Sequence, residues 1–427
     1  MVTRAAAAAF LLLCACPARP ASDGSAPPRG STYDEYLKSG KTSEQRPPDT
    51  NDTDSMTMHV IDIGQGQAIL LEFPCGAALV DTGAELNDQW DGVGALRLYL
   101  EEFFRRRPDL DRTLSLLVIS HPHLDHTRGI DMLLRNYTID NVVDNGMRNE
   151  WTEFDGQRVE DNGGRHQIAL QDWAKERAGE VGYEAIKVSD IGPQGRTNGI
   201  IDPIHGCGRA TTDPKIRVLW GQLFEERDTF GDNPNNHSVV VRVDYGKSSF
   251  LIPGDLEVIG NSRLDKKYAT DRSVFDVDVY VPGHHGSKNG TTEYMLDNMS
   301  PKIAVISAGP YERREQWTAR RFGHPNKVIT DMLLDLRHGV SGKRVPIDVP
   351  VGVRGAWKDE LVEQFTTQRV DRAVYCTCWD GSVRVRGNAN GWIDVETNGR
   401  ALDELPRLDE TAGAAPAAAD DQPTWPR

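Results

Sequence analysis

No apolar run in this sequence of 427 amino acids reaches the roughly 18 residues that a bilayer-spanning helix needs, so nothing beyond its first residues is a candidate membrane span. It also lacks an excess of positive charge. Lys and Arg number 49 against 64 Asp and Glu, a formal net charge of −15. An acidic surface opposes the phosphate polyanion that clustered Lys and Arg attract, so a stable complex with long nucleic acid is not expected. A bound dication would offset that acidity locally. Cysteine is scarce as well, six in all and with no Cys-x-x-Cys pair, which argues against a cysteine-built zinc module. Four of the six, Cys75, Cys207, Cys376 and Cys378, lie away from the N-terminus, and in an oxidising compartment they can form disulfides. Cys376 and Cys378 fall in a β-like run, which places both thiols on one face along a single strand. Pairing with Cys75 or Cys207 is therefore expected in preference to a bond between them.

What is present begins with an export pattern. Residues 1–4 supply one positive charge, residues 5–13 form a short apolar run, and Cys14-Ala15-Cys16 follows. Leu13-Cys14-Ala15-Cys16 resembles a bacterial lipoprotein box, which would make Cys16 a lipid anchor and the protein periplasmic or cell-surface. Residues 17–55 read as a disordered linker and 401–427 as a disordered tail, because both hold too few large apolar residues to form a core.

Between these ends, 58–62, 68–73 and 77–80 read as short strands and 94–106 as a helix that aligns Leu96, Leu100, Phe103 and Phe104. Residues 114–119 are continuously apolar, the mark of a strand buried on both faces. A helix at 127–135 and a strand at 139–143 follow, then an irregular insertion over about 145–235 with one helix at 166–178. Strands at 238–244, 249–252, 277–281 and 302–307 alternate with helices at 291–298 and 326–337. Residues 341–400 form a C-terminal β-rich extension whose strands at 373–378, 382–386 and 392–397 read as a small meander. Long mixed sheets with interspersed helices predict an α/β fold of the αββα sandwich type.

The chemistry concentrates in His121-Pro122-His123-Leu124-Asp125-His126, where a buried strand gives way to a helix. A rigid strand that ends in a loop presents functional groups accurately. Neutral imidazoles and carboxylates are good ligands for zinc and related dications. One loop does not supply enough donors for two ions. Asp255, which ends an apolar strand in Pro253-Gly254-Asp255, can bridge them. His284 and His285 also follow a strand, and neighbouring side chains rarely bind one ion, so one is expected as ligand and the other as a catalytic or substrate contact.

These segments resemble the metallo-β-lactamase superfamily, and within it the competence-type hydrolase domain found at the end of ComEC DNA-uptake proteins. The matching runs are Val60-Ile61-Asp62-Ile63-Gly64-Gln65-Gly66, Leu79-Val80-Asp81-Thr82-Gly83, the histidine loop, His237-Ser238-Val239, Ile252-Pro253-Gly254-Asp255 and Gly283-His284-His285-Gly286-Ser287. The resemblance implies a four-layer metallo-β-lactamase sandwich over residues 56–340 with two divalent ions, zinc being the expected metal and manganese the alternative. It implies His121 and His123 on the first ion, Asp125 and His126 on the second, Asp255 between them and His284 completing the second site, with His285 in the catalytic role. Asp81 would orient the histidine loop, and Asp125 would also take a proton from the attacking water. Two departures stand out. The region where most members place the third histidine of the first ion holds Asn235, Asn236 and His237 here, so either His237 or an asparagine supplies that ligand. Gln67 stands where relatives carry Asp. Gly323-His324-Pro325 echoes a further motif, which brings His324 toward the site.

The expected function is hydrolysis of a phosphodiester, in a small molecule or nucleic acid, by dication-activated water. Lys288 and Arg128 are the basic residues expected near the scissile phosphate. Two other readings fit the same fold. One is a hydrolase of a small ester, thioester or lactam, and the other is a catalytically weak surface lipoprotein that binds rather than cleaves.

Overall fold

The strand around Leu117 is apolar on successive residues because its sheet is covered on both faces. Met56, Met58, Val60, Leu71, Ala78, Val80, Leu116 and Val118 point into a core shared with Val241, Val243, Phe250, Ile252 and Val305 of a second sheet. Their neighbours Leu70, Ala77, Leu79 and Leu117 point the other way, onto Leu96, Leu100, Phe103, Ile130 and Leu133 of covering helices. A period of two in each strand thus feeds two cores at once. The computed structural model describes residues 54–149, 151–154, 157–160, 162–223, 233–315, 317–353 and 365–398. The expected export signal with Cys16, all but the last two residues of the linker, and the tail at 401–427 lie outside the described residues.

The first sheet has eight strands in the order Gly182–Ala185, Asn141–Asp144, Leu116–Val118, Gly76–Val80, Ile69–Phe73, Ser55–Val60, Val383–Asn388 and Ile393–Thr397. The second has six, in the order Lys215–Trp220, Val240–Tyr245, Ser248–Ile252, Val279–Tyr280, Ile303–Ile306 and Val374–Cys376. Helices Gly92–Arg106, Ile130–Asn136 and Asn162–Glu176 belong to the first sheet's outer layer. Val258–Lys267, Glu293–Met299 and Lys327–Leu334 pack their apolar faces against the second. This is the four-layer αββα sandwich. The strands ending at Val80 and Val118 run parallel, as do those ending at Ile252, Tyr280 and Ile306. Each group of carboxyl ends therefore opens on one edge of its sheet, where ligand sites of α/β folds form.

Three expectations need correction. The late strands are not a free-standing meander: Val383–Asn388 pairs with Ser55–Val60, and Val374–Cys376 lies parallel to Ile303–Ile306, so the C-terminal region completes both sheets. What stands apart is the two-stranded sheet of Lys343–Gly352 and Phe365–Arg372. The insertion is also more regular than its composition suggests, because Gly182–Ala185 and Lys215–Trp220 add an edge strand to each sheet. Finally, the disulfides are Cys75–Cys207 and Cys376–Cys378. The strand ends at Cys376 and a helical turn begins at Thr377, which leaves the Cys376 and Cys378 Cα atoms 5.0 Å apart.

The two bonds differ greatly in the loop they close, with sequence separations of 132 and 2. On loop-closure entropy the long loop contributes about 3–5 kcal/mol and the short one no more than about 2 kcal/mol. Cys75→Ser/Cys207→Ser should lower unfolding stability in urea by the larger amount and Cys376→Ser/Cys378→Ser by the smaller. Equal losses would contradict this ordering.

Candidate metal centre

Asp81 ends its strand in the left-handed region, at φ 62°, a conformation uncommon outside glycine but more accessible to Asp than to most residues. The turn aims a fully buried carboxylate at the histidine loop. Its Oδ1 accepts from Ser120 N at 2.7 Å. Its Oδ2 accepts from Ser120 Oγ at 2.8 Å, His126 Nδ1 at 2.7 Å and Gln67 Nε2 at 2.7 Å. Gln67 therefore acts here as a neutral donor to Asp81. A carboxylate at that position would face Asp81 with like charge. Gly83 lies under the loop backbone, where a Cβ would come within 1.5 Å of the Asp125 carbonyl oxygen.

The hydrogen bonds fix the same tautomer on three rings. Because Ser120 Oγ gives its proton to Asp81, it accepts from His121 Nδ1 at 3.0 Å. His126 Nδ1 donates to Asp81, and His285 Nδ1 donates to the Ser307 carbonyl at 2.9 Å. In each ring Nδ1 carries the proton and Nε2 presents a lone pair. The Nε2 atoms of His126 and His285 lie 3.2 Å apart. His126 Nε2 is 3.2 Å from Asp255 Oδ1, and His285 Nε2 is 3.2 Å from Asp125 Oδ2 and 3.4 Å from Asp255 Oδ2. Lone pairs of two imidazoles and two carboxylates converging in a buried volume repel one another unless a cation lies among them.

The titration behaviour has the same cause. Burial opposes charge on His285, but Asp255 and Asp125 outweigh it and push the ring up to about 10. Burial likewise opposes charge on His126, and Asp255 and Asp81 raise it well above the usual histidine value. Burial would raise Asp255, yet His126, His285 and His284 hold it well below the carboxylate range. His121 is lowered by burial and by His126 and His123. A proton is the smallest cation that meets this demand, and a dication meets it with coordinate bonds.

The donor set fits a metal. Asp125, His126, Asp255 and His285 offer ligand atoms all within 4.8 Å of one another. Asp255 Oδ1 is buried and has no hydrogen-bond donor. His121 Nε2 lies 3.0 Å from His123 Nδ1 and 3.9 Å from Asp255 Oδ2, so Asp255 stands between this pair and the four-donor group. Histidine and carboxylate donors suit zinc and its neighbours.

The structure places the paired histidines differently from the expectation. His285, expected in a catalytic role, is the ring inside the cluster. His284, expected as the ligand, is partly exposed, has Nδ1 3.1 Å from Asn289 Oδ1, and holds its Nε2 3.8 Å from Asp255. Both residues are left-handed, at φ 53° and 54°, and this turn sends the second ring inward. His237 is outside the four-donor group, and its Nδ1 accepts from Leu223 N at 3.0 Å. His324 is buried beside the cluster, its ring stacked 6.1 Å from His285, with Gln65 Nε2 3.2 Å from its Nδ1. Burial and the neighbouring His284 and His285 keep it well below the usual histidine range. Lys288 is exposed and Arg128 half-buried. Both lie outside the four-donor group. Sequence reasoning missed Ser120, Ser238, Ser307 and Gln65, which orient rings rather than bind an ion. Only Ser120, next to the histidine loop, carried a local signal.

Residues 61–309 match the metallo-beta-lactamase superfamily. The chain belongs to this superfamily. It is 26% identical over 264 residues to Recombination protein 2 of Haemophilus influenzae, spanning 62% of this chain and 25% of that protein. It is 23% identical over 300 residues to ComE operon protein 3 of Bacillus subtilis, 66% of this chain and 30% of that one. The chain thus spans between a quarter and a third of the length of these relatives, and the likeness to competence proteins holds. A solved structure, the metallo-beta-lactamase fold protein YhfI from Bacillus subtilis, aligns with TM-score 0.33 at 13% identity, over 59% of this chain and 85% of that one.

Metal content distinguishes the two histidines. His285→Ala should lower bound metal measured by mass spectrometry, whereas His284→Ala should retain it. The reverse result would restore the expectation drawn from the sequence.

Proposed function

We propose that this superfamily member is an exported hydrolase of phosphodiesters that works with two divalent ions, zinc being favoured. The observation that carries the reading is the convergence of the His126 and His285 lone pairs with Asp125 and Asp255 in one buried volume. His121 and His123 would hold one ion and Asp125, His126 and His285 the other, with Asp255 shared. When bound, such a pair supplies Lewis acidity toward a phosphoryl oxygen and lowers the pKa of water. The chain's own residues supply orientation. Asp81, Ser120 and the Ser307 carbonyl hold three rings in the tautomer that presents Nε2. Asp125 has its Oδ2 on the inner side of the cluster, where it would accept a proton from an attacking water.

A phosphodiester is favoured over an ester or lactam because the similar proteins include Recombination protein 2 and a competence protein, ComA of Neisseria gonorrhoeae. Export is supported by two disulfides, which persist in oxidising compartments. Among the described residues no helix is long and apolar enough to cross a membrane. Anchoring through Cys16 belongs to the same proposal.

Bis-p-nitrophenyl phosphate, a short DNA strand and nitrocefin, each offered to the zinc- and manganese-loaded protein, test the substrate class. The first two should be hydrolysed and the third should not, and chelation should abolish turnover. Asp255→Asn should reduce kcat by about a hundredfold or more and lose one ion before the other, because an amide is a poorer bridge than a carboxylate. Similar losses are expected for His123→Ala. Faster turnover of nitrocefin would favour lactam hydrolysis, and inactivity with both ions bound would favour a binding role.

A further inference from the structure

Four of the ten arginines and lysines between residues 288 and 344 fall in the short stretch Arg313, Arg314, Arg320 and Arg321, inside a chain whose net charge is −15. Two are engaged. Arg313 donates to Glu85 at 3.1 Å and lies 3.9 Å over the Trp90 ring, and Arg320 donates to the Tyr311 carbonyl at 3.3 Å. The guanidinium groups of Arg314 and Arg321 form no hydrogen bond or ion pair among the described residues, and Arg314 is exposed. Between them stands Trp317, 50% exposed and held at φ 63°. A bulky residue in the left-handed region is a genuine outlier, and such outliers cluster at ligand-binding and switch segments. A tryptophan half exposed among the described residues also forgoes much of the burial that ordinarily retains one.

Trp317 begins a series of rings that ends in the metal centre. Its centroid is 6.0 Å from Phe322, Phe322 is stacked 5.6 Å from His324, and His324 is stacked 6.1 Å from His285. The exposed indole is thus connected through two packed rings to a proposed ligand, at a distance within the few nucleotides that a single-strand site spans. Its surroundings suit one kind of ligand, a planar aromatic group attached to negative charge.

We infer that Trp317, with Arg314 and Arg321, forms a subsite in which an unpaired base of a single-stranded nucleic acid stacks while its flanking phosphates meet the two guanidinium groups. Every base has a π-face, so stacking is tolerant of sequence and indifferent to the sugar. In a duplex that face is covered by its neighbours, so the subsite selects single strands. Only two arginines meet phosphate, so affinity depends weakly on salt, as the acidic charge of the chain requires. This inference rests on the phosphodiesterase reading for its biological sense, but its test does not depend on turnover.

The test is fluorescence anisotropy of the full chain with three labelled 20-mers: oligo-dT, the same strand in duplex, and an abasic strand with the same phosphates. It is run with zinc and also in EDTA, so that cleavage does not set the reading. The expected order of affinity is single strand, then abasic strand, then duplex, with oligo-rU equal to oligo-dT. Trp317→Ala should weaken oligo-dT binding roughly five- to hundredfold and leave the abasic strand's affinity as it was, while Trp317→Phe retains most of the affinity. Arg321→Ala should weaken both strands and reduce the slope of log affinity against log salt by about one. Equal binding of oligo-dT by Trp317→Ala and the unmodified protein would overturn the subsite. So would a loss that is the same for the abasic strand. Strand binding without hydrolysis of bis-p-nitrophenyl phosphate by the metal-loaded protein would leave the subsite standing and remove the phosphodiesterase reading.

Discussion

The Asp81 carboxylate is the interaction on which the metal centre depends. It is fully buried and accepts four donors, from Ser120 N, Ser120 Oγ, His126 Nδ1 and Gln67 Nε2. Unpaired, a buried carboxylate would be costly, and paired in this way it fixes the strand end, the histidine loop and one ring together. Ser120 extends its reach, because a hydroxyl that donates to Asp81 must accept from His121. One acid therefore sets the tautomer of two rings in the loop. The second sheet repeats the device with a backbone carbonyl, since Ser307 at the end of its own strand holds His285. Imidazole rings anchored through Nδ1 from both sheets face each other across the gap between strand ends, as metal-ligating rings do.

That arrangement explains which parts of the site were legible in the sequence. The histidine loop was, because its four candidate donors are local and follow an apolar strand with no intervening turn. Asp81 was legible through Asp81-Thr82-Gly83, in which the glycine marks a close approach of backbone and the acid ends a strand. The choice between His284 and His285 was not. Two successive left-handed residues decide which ring turns inward, and the sequence shows only that glycines flank them. Gln65, Ser238 and Ser307 were illegible for another reason. Their partners His324, His121 and His285 lie far away in sequence, and a common polar residue gives no sign of a distant partner.

The fold followed the same division. Helix Gly92–Arg106 showed itself through the spacing of Leu96, Leu100, Phe103 and Phe104, and the strand ending at Val118 through continuous apolarity on both faces. Pairing did not show itself. Val383–Asn388 lies beside Ser55–Val60 across more than 300 residues, and nothing local in Val383-Arg384-Val385-Arg386 distinguishes a sheet member from a meander. The alternation records only that one face is buried and the other half-exposed. The Cys376–Cys378 bond went unforeseen because the expected strand stops between its two thiols, and a helical turn changes their geometry.

Charge ties the fold to the proposed substrate. With a net charge of −15, the chain would repel a polyanion over most of its surface. Attraction must then be local, and two places supply it. One is the donor cluster, whose carboxylates and raised histidines call for positive charge in a buried volume. The other is the stretch from Arg313 to Arg321, where two guanidinium groups have no acidic partner among the described residues. The ring series from Trp317 through Phe322 and His324 to His285 joins the two. A ligand drawn to both would be held at its phosphates by few charges and at one base by stacking. Such a ligand would be bound briefly and released after cleavage, a better arrangement for a hydrolase than a long basic groove that would retain its product.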